Sequence, residues 1–97
     1  MSVVQAIRVT LYAPQAHSLK DKRQILRSLT DQVKHRFNVS IAEIEDMDLH
    51  QKLVIGIACI SNSGQQAGRA LDEVVRYIES HAEAEVVEIE LIADYTG

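Results

Sequence analysis

The stretch His17–Arg36, HSLKDKRQILRSLTDQVKHR, decides how the rest of the chain is arranged. Ser18 followed three residues on by Asp21 is a capping-box pattern, and Leu19, Lys22, Ile25, Leu26, Leu29 and Val33 recur at three- and four-residue spacing. The stretch is therefore an amphipathic helix with one face in a core. Its other face carries Lys20, Arg23, Arg27, Asp31 and Lys34. Segments of period two lie on both sides of it, so the helix is a crossover between two strands.

The strand before it is VVQAIRVTLYA, residues 3–13, with Ile7, Val9 and Leu11 on one face and Arg8, Thr10 and Tyr12 on the other. Pro14 ends it. The strand after it is FNVSIAEIE, residues 37–45, where Phe37, Val39 and Ile41 alternate with Asn38, Ser40 and Ala42 before a polar Asp46-Met47-Asp48 turn. KLVIGIACI, residues 52–60, is almost continuously apolar and reads as a central strand, with the small Gly56 and Ala58 on one face. Ser61-Asn62-Ser63-Gly64 caps a second helix whose stripe is Ala67, Leu71, Val74, Val75 and Ile78. A last strand starts at Glu85, with Val87, Ile89, Leu91 and Ala93 facing one way and Glu88, Glu90 and Ile92 mostly the other.

The order strand, helix, strand, strand, helix, strand, with right-handed crossovers, predicts an α+β ferredoxin-like two-layer sandwich. Two helices cover one face of a four-stranded antiparallel sheet, and the first and third strands are central. The 97 residues make one domain, 1–97, which buries about 60 % of its unfolded surface or somewhat more. At 46 % hydrophobic and with few Pro and Gly, the chain is neither linker nor disordered tail. No apolar run reaches the roughly 18 residues of a membrane span, and Met1–Ala13 alternates rather than forming a signal core, so a cytoplasmic protein with no membrane partner is expected. The lone Cys59 excludes an internal disulfide.

The functional signal is charge. Six of the ten Lys and Arg residues fall in the first helix, against only Asp21 and Asp31, in a protein of net charge −4. Lys34, His35 and Arg36 lie at its C-terminal end, where the macrodipole favours a cation by about 0.3–1 kcal/mol. Lys20, Lys22 and Arg23 lie at the opposing end, where free N–H groups already favour anions. Lys20, Lys22, Arg23 and Arg27, with Ser18 as N-cap, are thus candidate contacts for phosphate or RNA backbone. The competing reading pairs them with Glu45, Asp46 and Asp48, which the topology places near the same end of the sheet.

Other constellations carry less. The open sheet face offers Arg8, Thr10 and Tyr12 with Glu88 and Glu90, but the third strand lacks the aromatics an RNA-recognition sheet uses. Val54, Ile60 and Ile92, expected partly exposed there, suit self-association through the face or an edge strand. Glu43, Glu45, Asp46 and Asp48 lack calcium-loop spacing, and His17, His35, His50 and His81 lack zinc spacing, so no metal is assigned. Gly64 and Gly68 lack the Lys and Ser/Thr of a phosphate-binding loop, so no cofactor is expected. No nucleophile, base and oxyanion donor can be assembled, which leans against an enzyme. The acylphosphatases share this topology, but their glycine-rich loop with its arginine has no counterpart in Ala13-Pro14-Gln15-Ala16-His17.

At Ala16-His17-Ser18-Leu19-Lys20-Asp21-Lys22-Arg23 and Arg36-Phe37-Asn38-Val39-Ser40-Ile41-Ala42-Glu43 the chain resembles the YlxP-like family of small uncharacterised bacterial proteins. Asp48-Leu49-His50-Gln51 and Gly56-Ile57-Ala58-Cys59-Ile60-Ser61-Asn62 extend the resemblance over nearly the whole length. It implies a ferredoxin-like fold and no established activity. Members are often encoded beside transcription-termination, translation-initiation and ribosome-maturation factors, which implies an RNA or ribosome connection by association. The family's Ser-Leu-Lys-x-Lys-Arg signature falls on Ser18, Leu19, Lys20, Lys22 and Arg23. A tryptophan is usual where this chain has His50.

Three hypotheses follow. The first is a non-catalytic RNA- or ribosome-associated protein gripping phosphates with Lys20, Lys22, Arg23 and Arg27. The second is a homodimeric module that takes a small anionic ligand at the same helix start, or an interaction protein with no ligand. The third is a small hydrolase.

Overall fold

The computed structural model describes residues 1–97. The chain runs β1 (Val3–Tyr12), α1 (Leu19–Arg36), β2 (Ser40–Glu45), β3 (Lys52–Ser61), α2 (Gly64–His81) and β4 (Glu85–Thr96). The strands form one sheet in the order β2-β3-β1-β4, every neighbouring pair antiparallel. This is the ferredoxin-like α+β sandwich, with β1 and β3 at its centre.

Pleat and register decide what each face carries. Ile7, Val9 and Leu11 of β1 lie opposite Ile57, Ile55 and Leu53 of β3, and all six are buried. They join Ile25, Leu26, Leu29 and Val33 of α1 and Ala67, Leu71, Val74, Val75 and Ile78 of α2 in one core cluster. The even-numbered residues of β1 turn to the opposite, helix-free face.

Local chemistry accounts for the helix ends. Ser18 Oγ accepts from the Asp21 amide at 3.1 Å, and Asp21 Oδ2 accepts from the His17 amide at 2.9 Å, a capping box displaced by one residue. Ser63 Oγ caps α2 by accepting from the Gln66 amide at 3.3 Å.

Three expectations are corrected. The second strand starts at Ser40, because Phe37 is the C-cap of α1 and its amide closes the helix on the Val33 carbonyl at 2.9 Å. Phe37 then packs edge-on to Tyr77, with centroids 5.6 Å apart. Ala93 does not share a face with Leu91. Leu91 pairs with Ile7 while Ala93 pairs with Ala6, so Ile92 is the extra residue of a β-bulge and the alternation reverses there. Val54 is 2 % exposed although it lies on the helix-free face. Its ladder partners Thr10 and Glu45 flank it, and the Glu45 side chain is drawn toward β1.

Candidate functional site: the outer face of the first helix

The hairpin between β2 and β3 lies against the start of α1, and a single lysine fastens the two together. Lys22 sits on the apolar stripe of α1, one turn before Ile25 and Leu26, so its stem runs into the core and only 1 % of its side chain is exposed. Its Nζ donates to the Asp46 carbonyl at 2.8 Å and the Leu49 carbonyl at 2.6 Å, and lies 2.7 Å from Glu43 Oε2. The Glu43 contact is charge on charge, off the angle of a hydrogen bond. Three acceptors thus surround the three protons of the ammonium. Asp46 presents its carbonyl from a left-handed backbone, φ 52°, which an aspartate tolerates. The same carbonyl accepts from the Leu49 amide at 3.1 Å and closes the turn.

Lys22 is therefore a structural strut and is removed from the candidate anion contacts. A solvent-borne phosphate has no path to an ammonium that is buried and fully partnered. Of the competing pairing of the helix start with Glu45, Asp46 and Asp48, only the contact of Lys22 with the Asp46 carbonyl forms, and none of the three carboxylates takes part. Glu45 turns to the far face, where Arg8 donates to it at 2.7 Å and grips Glu90 at 2.6 and 3.0 Å. That contact, tying a central strand to both edge strands, raises the Arg8 pKa through hydrogen bonds to Glu90 and then Glu45. The Asp46 carboxylate pairs with Lys52 at 2.8 Å, which raises the Lys52 pKa in turn.

With Glu45 and Asp46 engaged elsewhere and Asp48 reaching none of its cations, the outer face of α1 stays open. Lys20, Arg23, Arg27 and Lys34 are exposed, and none pairs with a carboxylate. At 3.6 residues per turn they fall within about 60° of one another around the axis, along a ridge about 21 Å long. Ser18 does not offer its hydroxyl to a ligand, since it caps the helix, and Asp21 supplies a carboxylate in the first turn. The free cations thus form a stripe along the helix rather than a cup at its tip.

The remaining titratable groups do not converge. No three of the His, Cys, Asp and Glu side chains come together as a metal site. His81 stacks on Tyr77 at 4.1 Å, and Arg36 covers the same ring at 4.7 Å from its centroid. Cys59 is buried, within 3.5 Å of the Ala67 carbonyl, and burial raises its thiol pKa. His50 lines an open cleft of about 340 Å³ with Tyr12, Asp48, Leu49, Gln51 and Lys52.

The ferredoxin-like order and the Ser18–Arg23 helix start belong to a chain whose residues 4–91 match the family model described as "Protein of unknown function (DUF503)". The chain belongs to this family. It is 41 % identical over 70 residues to the "Uncharacterized protein YlxP" of Bacillus subtilis (strain 168), covering 72 % of this chain and 76 % of that protein. Among solved structures it is similar to the "De novo designed protein Ferredog-Diesel", at 14 % identity and a TM-score of 0.47, over 93 % of this chain and 84 % of the other.

Proposed function

We propose that this chain is a non-catalytic, RNA- or ribosome-associated binding protein that lays the outer face of α1 along a phosphodiester backbone. Lys20, Arg23 and Arg27 are the contacts, and Lys34 continues the same ridge. The carrying observation is that these cations are unpaired although the rest of the chain is rich in acid. Helix α1 holds six cations against two anions, net +4, while the remainder holds four against twelve, net −8. Twelve carboxylates lie outside the helix, and none of them reaches Lys20, Arg23, Arg27 or Lys34. A rigid row of point charges suits a polymer read by its backbone, because phosphate contacts position without requiring base readout. The absence of a converging nucleophile and base supports binding over turnover.

The test is fluorescence anisotropy with labelled single-stranded RNA across a salt series, comparing the chain with a Lys20→Ala/Arg23→Ala/Arg27→Ala variant. Binding that weakens with salt and is lost in the variant supports the reading. Binding indifferent to salt, or unchanged in the variant, refutes it. Inorganic phosphate that displaces RNA only at high concentration separates a polymer site from a pocket for a small anion.

A further inference from the structure

Strand β4 lies at the sheet margin with no strand beyond it, and at 12 residues it is the longest strand of the chain. Natural edges are blunted with lysine, proline, other charges or bulges; β4 contains no lysine or proline, and its two bulges leave residues 88–91 as a regular stretch between them. It carries Val87, Ile89 and Leu91 at 56 %, 48 % and 57 % exposure. Between its two bulges the register is regular. Glu88 and Glu90 lie opposite Thr10 and Arg8 on the helix-free face, while Ile89 and Leu91 lie opposite Val9 and Ile7 on the helix side. Beside Ile89 a shallow hollow of about 350 Å³, floored by Ile7, Leu71 and Val75, runs along the flank of α2 and has room for an aliphatic side chain.

We infer that β4 is a docking edge for an extended segment of a partner protein that alternates Lys or Arg with aliphatic residues. Main-chain hydrogen bonds of an added strand satisfy the open edge, and side chains at alternate positions read the two faces. A basic residue meets Glu88, which no cation of the chain engages, while Glu90 is already held by Arg8, and aliphatic ones lie over Ile89 and Leu91. Charge also disfavours a second copy that keeps both helix layers on one side of the joined sheet. Residues opposite each other across a pair share a face, so two β4 strands joined antiparallel over residues 88–91 with both helix layers on one side of the joined sheet bring the acidic face of one copy against that of the other.

The test uses the isotopically labelled full chain titrated with two synthetic nonapeptides, one alternating Lys with Val and Ile, the other carrying Glu in place of every Lys. The expected result is saturable shifts of the residue 87–92 amides with the basic peptide, at least tenfold weaker binding of the acidic one, and at least tenfold loss in Glu88→Lys and in Leu91→Lys. Each variant is first shown to retain the parent amide spectrum outside β4. Equal binding of both peptides, shifts centred elsewhere, or no shift at millimolar peptide overturns the inference. So does ultracentrifugation showing a dimer that Leu91→Lys dissociates, since the edge then belongs to a second copy.

Discussion

Lys22 Nζ lies 2.7 Å from Glu43 Oε2, and this contact, with the carbonyls of Asp46 and Leu49, joins the first helix to the hairpin it faces. The glutamate keeps 22 % of its side chain exposed while the lysine keeps 1 %. The two partners are therefore unequal. Removing the lysine leaves the Leu49 carbonyl without this donor, the Asp46 carbonyl with the Leu49 amide alone and the Glu43 carboxylate without its counter-charge, whereas removing the carboxylate charge leaves the ammonium two carbonyls.

Lys22→Met keeps the apolar stem and deletes the charge. It is expected to destabilise the fold by about 3 kcal/mol, toward the lower end for breaking a buried pair because Glu43 can relax into water. Urea unfolding reads the loss. Glu43→Gln is expected to lose less, and the double variant to lose less than the two changes together, because both act on one contact. A Lys22→Met protein as stable as the parent, still binding RNA more weakly, would return Lys22 to the list of ligand contacts.

If the ridge of α1 grips single-stranded RNA through three or four phosphates, the log–log salt slope is roughly −2 to −3. Replacing Lys20, Arg23 or Arg27 singly by alanine is expected to lower its magnitude by about 0.7 each, the contribution of one phosphate contact to a single strand. The anisotropy salt series measures this directly. Arg69→Ala and Arg76→Ala, on α2, serve as controls that leave the slope alone.

Burial makes the Cys59 thiol harder to ionise in the folded chain than in the unfolded one. The sign follows: the neutral thiol favours the fold, so its contribution is complete below the ordinary cysteine pKa of about 8.5 and declines as pH rises from there toward the folded value. Unfolding midpoints taken from pH 7 to 10 should fall, and Cys59→Ala should flatten the first part of that decline. Lys52, its pKa raised by Asp46, acts in the same direction at still higher pH. Ellman's reagent should label Cys59 slowly in buffer and rapidly in urea.

Arg8→Gln removes the only side chain that grips both edge strands. Because its partners are about half exposed, the loss in melting temperature is expected to be modest and to shrink in 1 M salt, as Coulomb contacts at a surface are screened. A loss independent of salt would mean that the aliphatic stem over the sheet matters more than the charge.

The architecture was legible because each element announces its period: alternation through Ile7, Val9 and Leu11, and three-four spacing from Leu19 to Val33. The burial of Lys22 was legible in part, since it falls on the apolar stripe. Its partners were not, because Glu43 and two backbone carbonyls meet it only once the hairpin closes. The bulge at Ile92 left no trace in composition, as an extra residue in a strand of β-formers looks like one more step of alternation. Val54 reads as exposed from its parity alone, yet it is buried between its ladder partners Thr10 and Glu45. The openness of Lys20, Arg23 and Arg27 depends on where Glu45 and Asp46 turn, and that is set by Arg8 and Lys52, far away in sequence.

Because the positive charge is gathered on one helix while the molecule as a whole is an anion, bulk and contact behaviour diverge. The protein should migrate toward the anode in a native gel, yet be retarded on a phosphocellulose column that most acidic proteins pass through. A chromatographer would meet two proteins in one, and the orientation of each adsorbed molecule would be dictated by the sign of the resin.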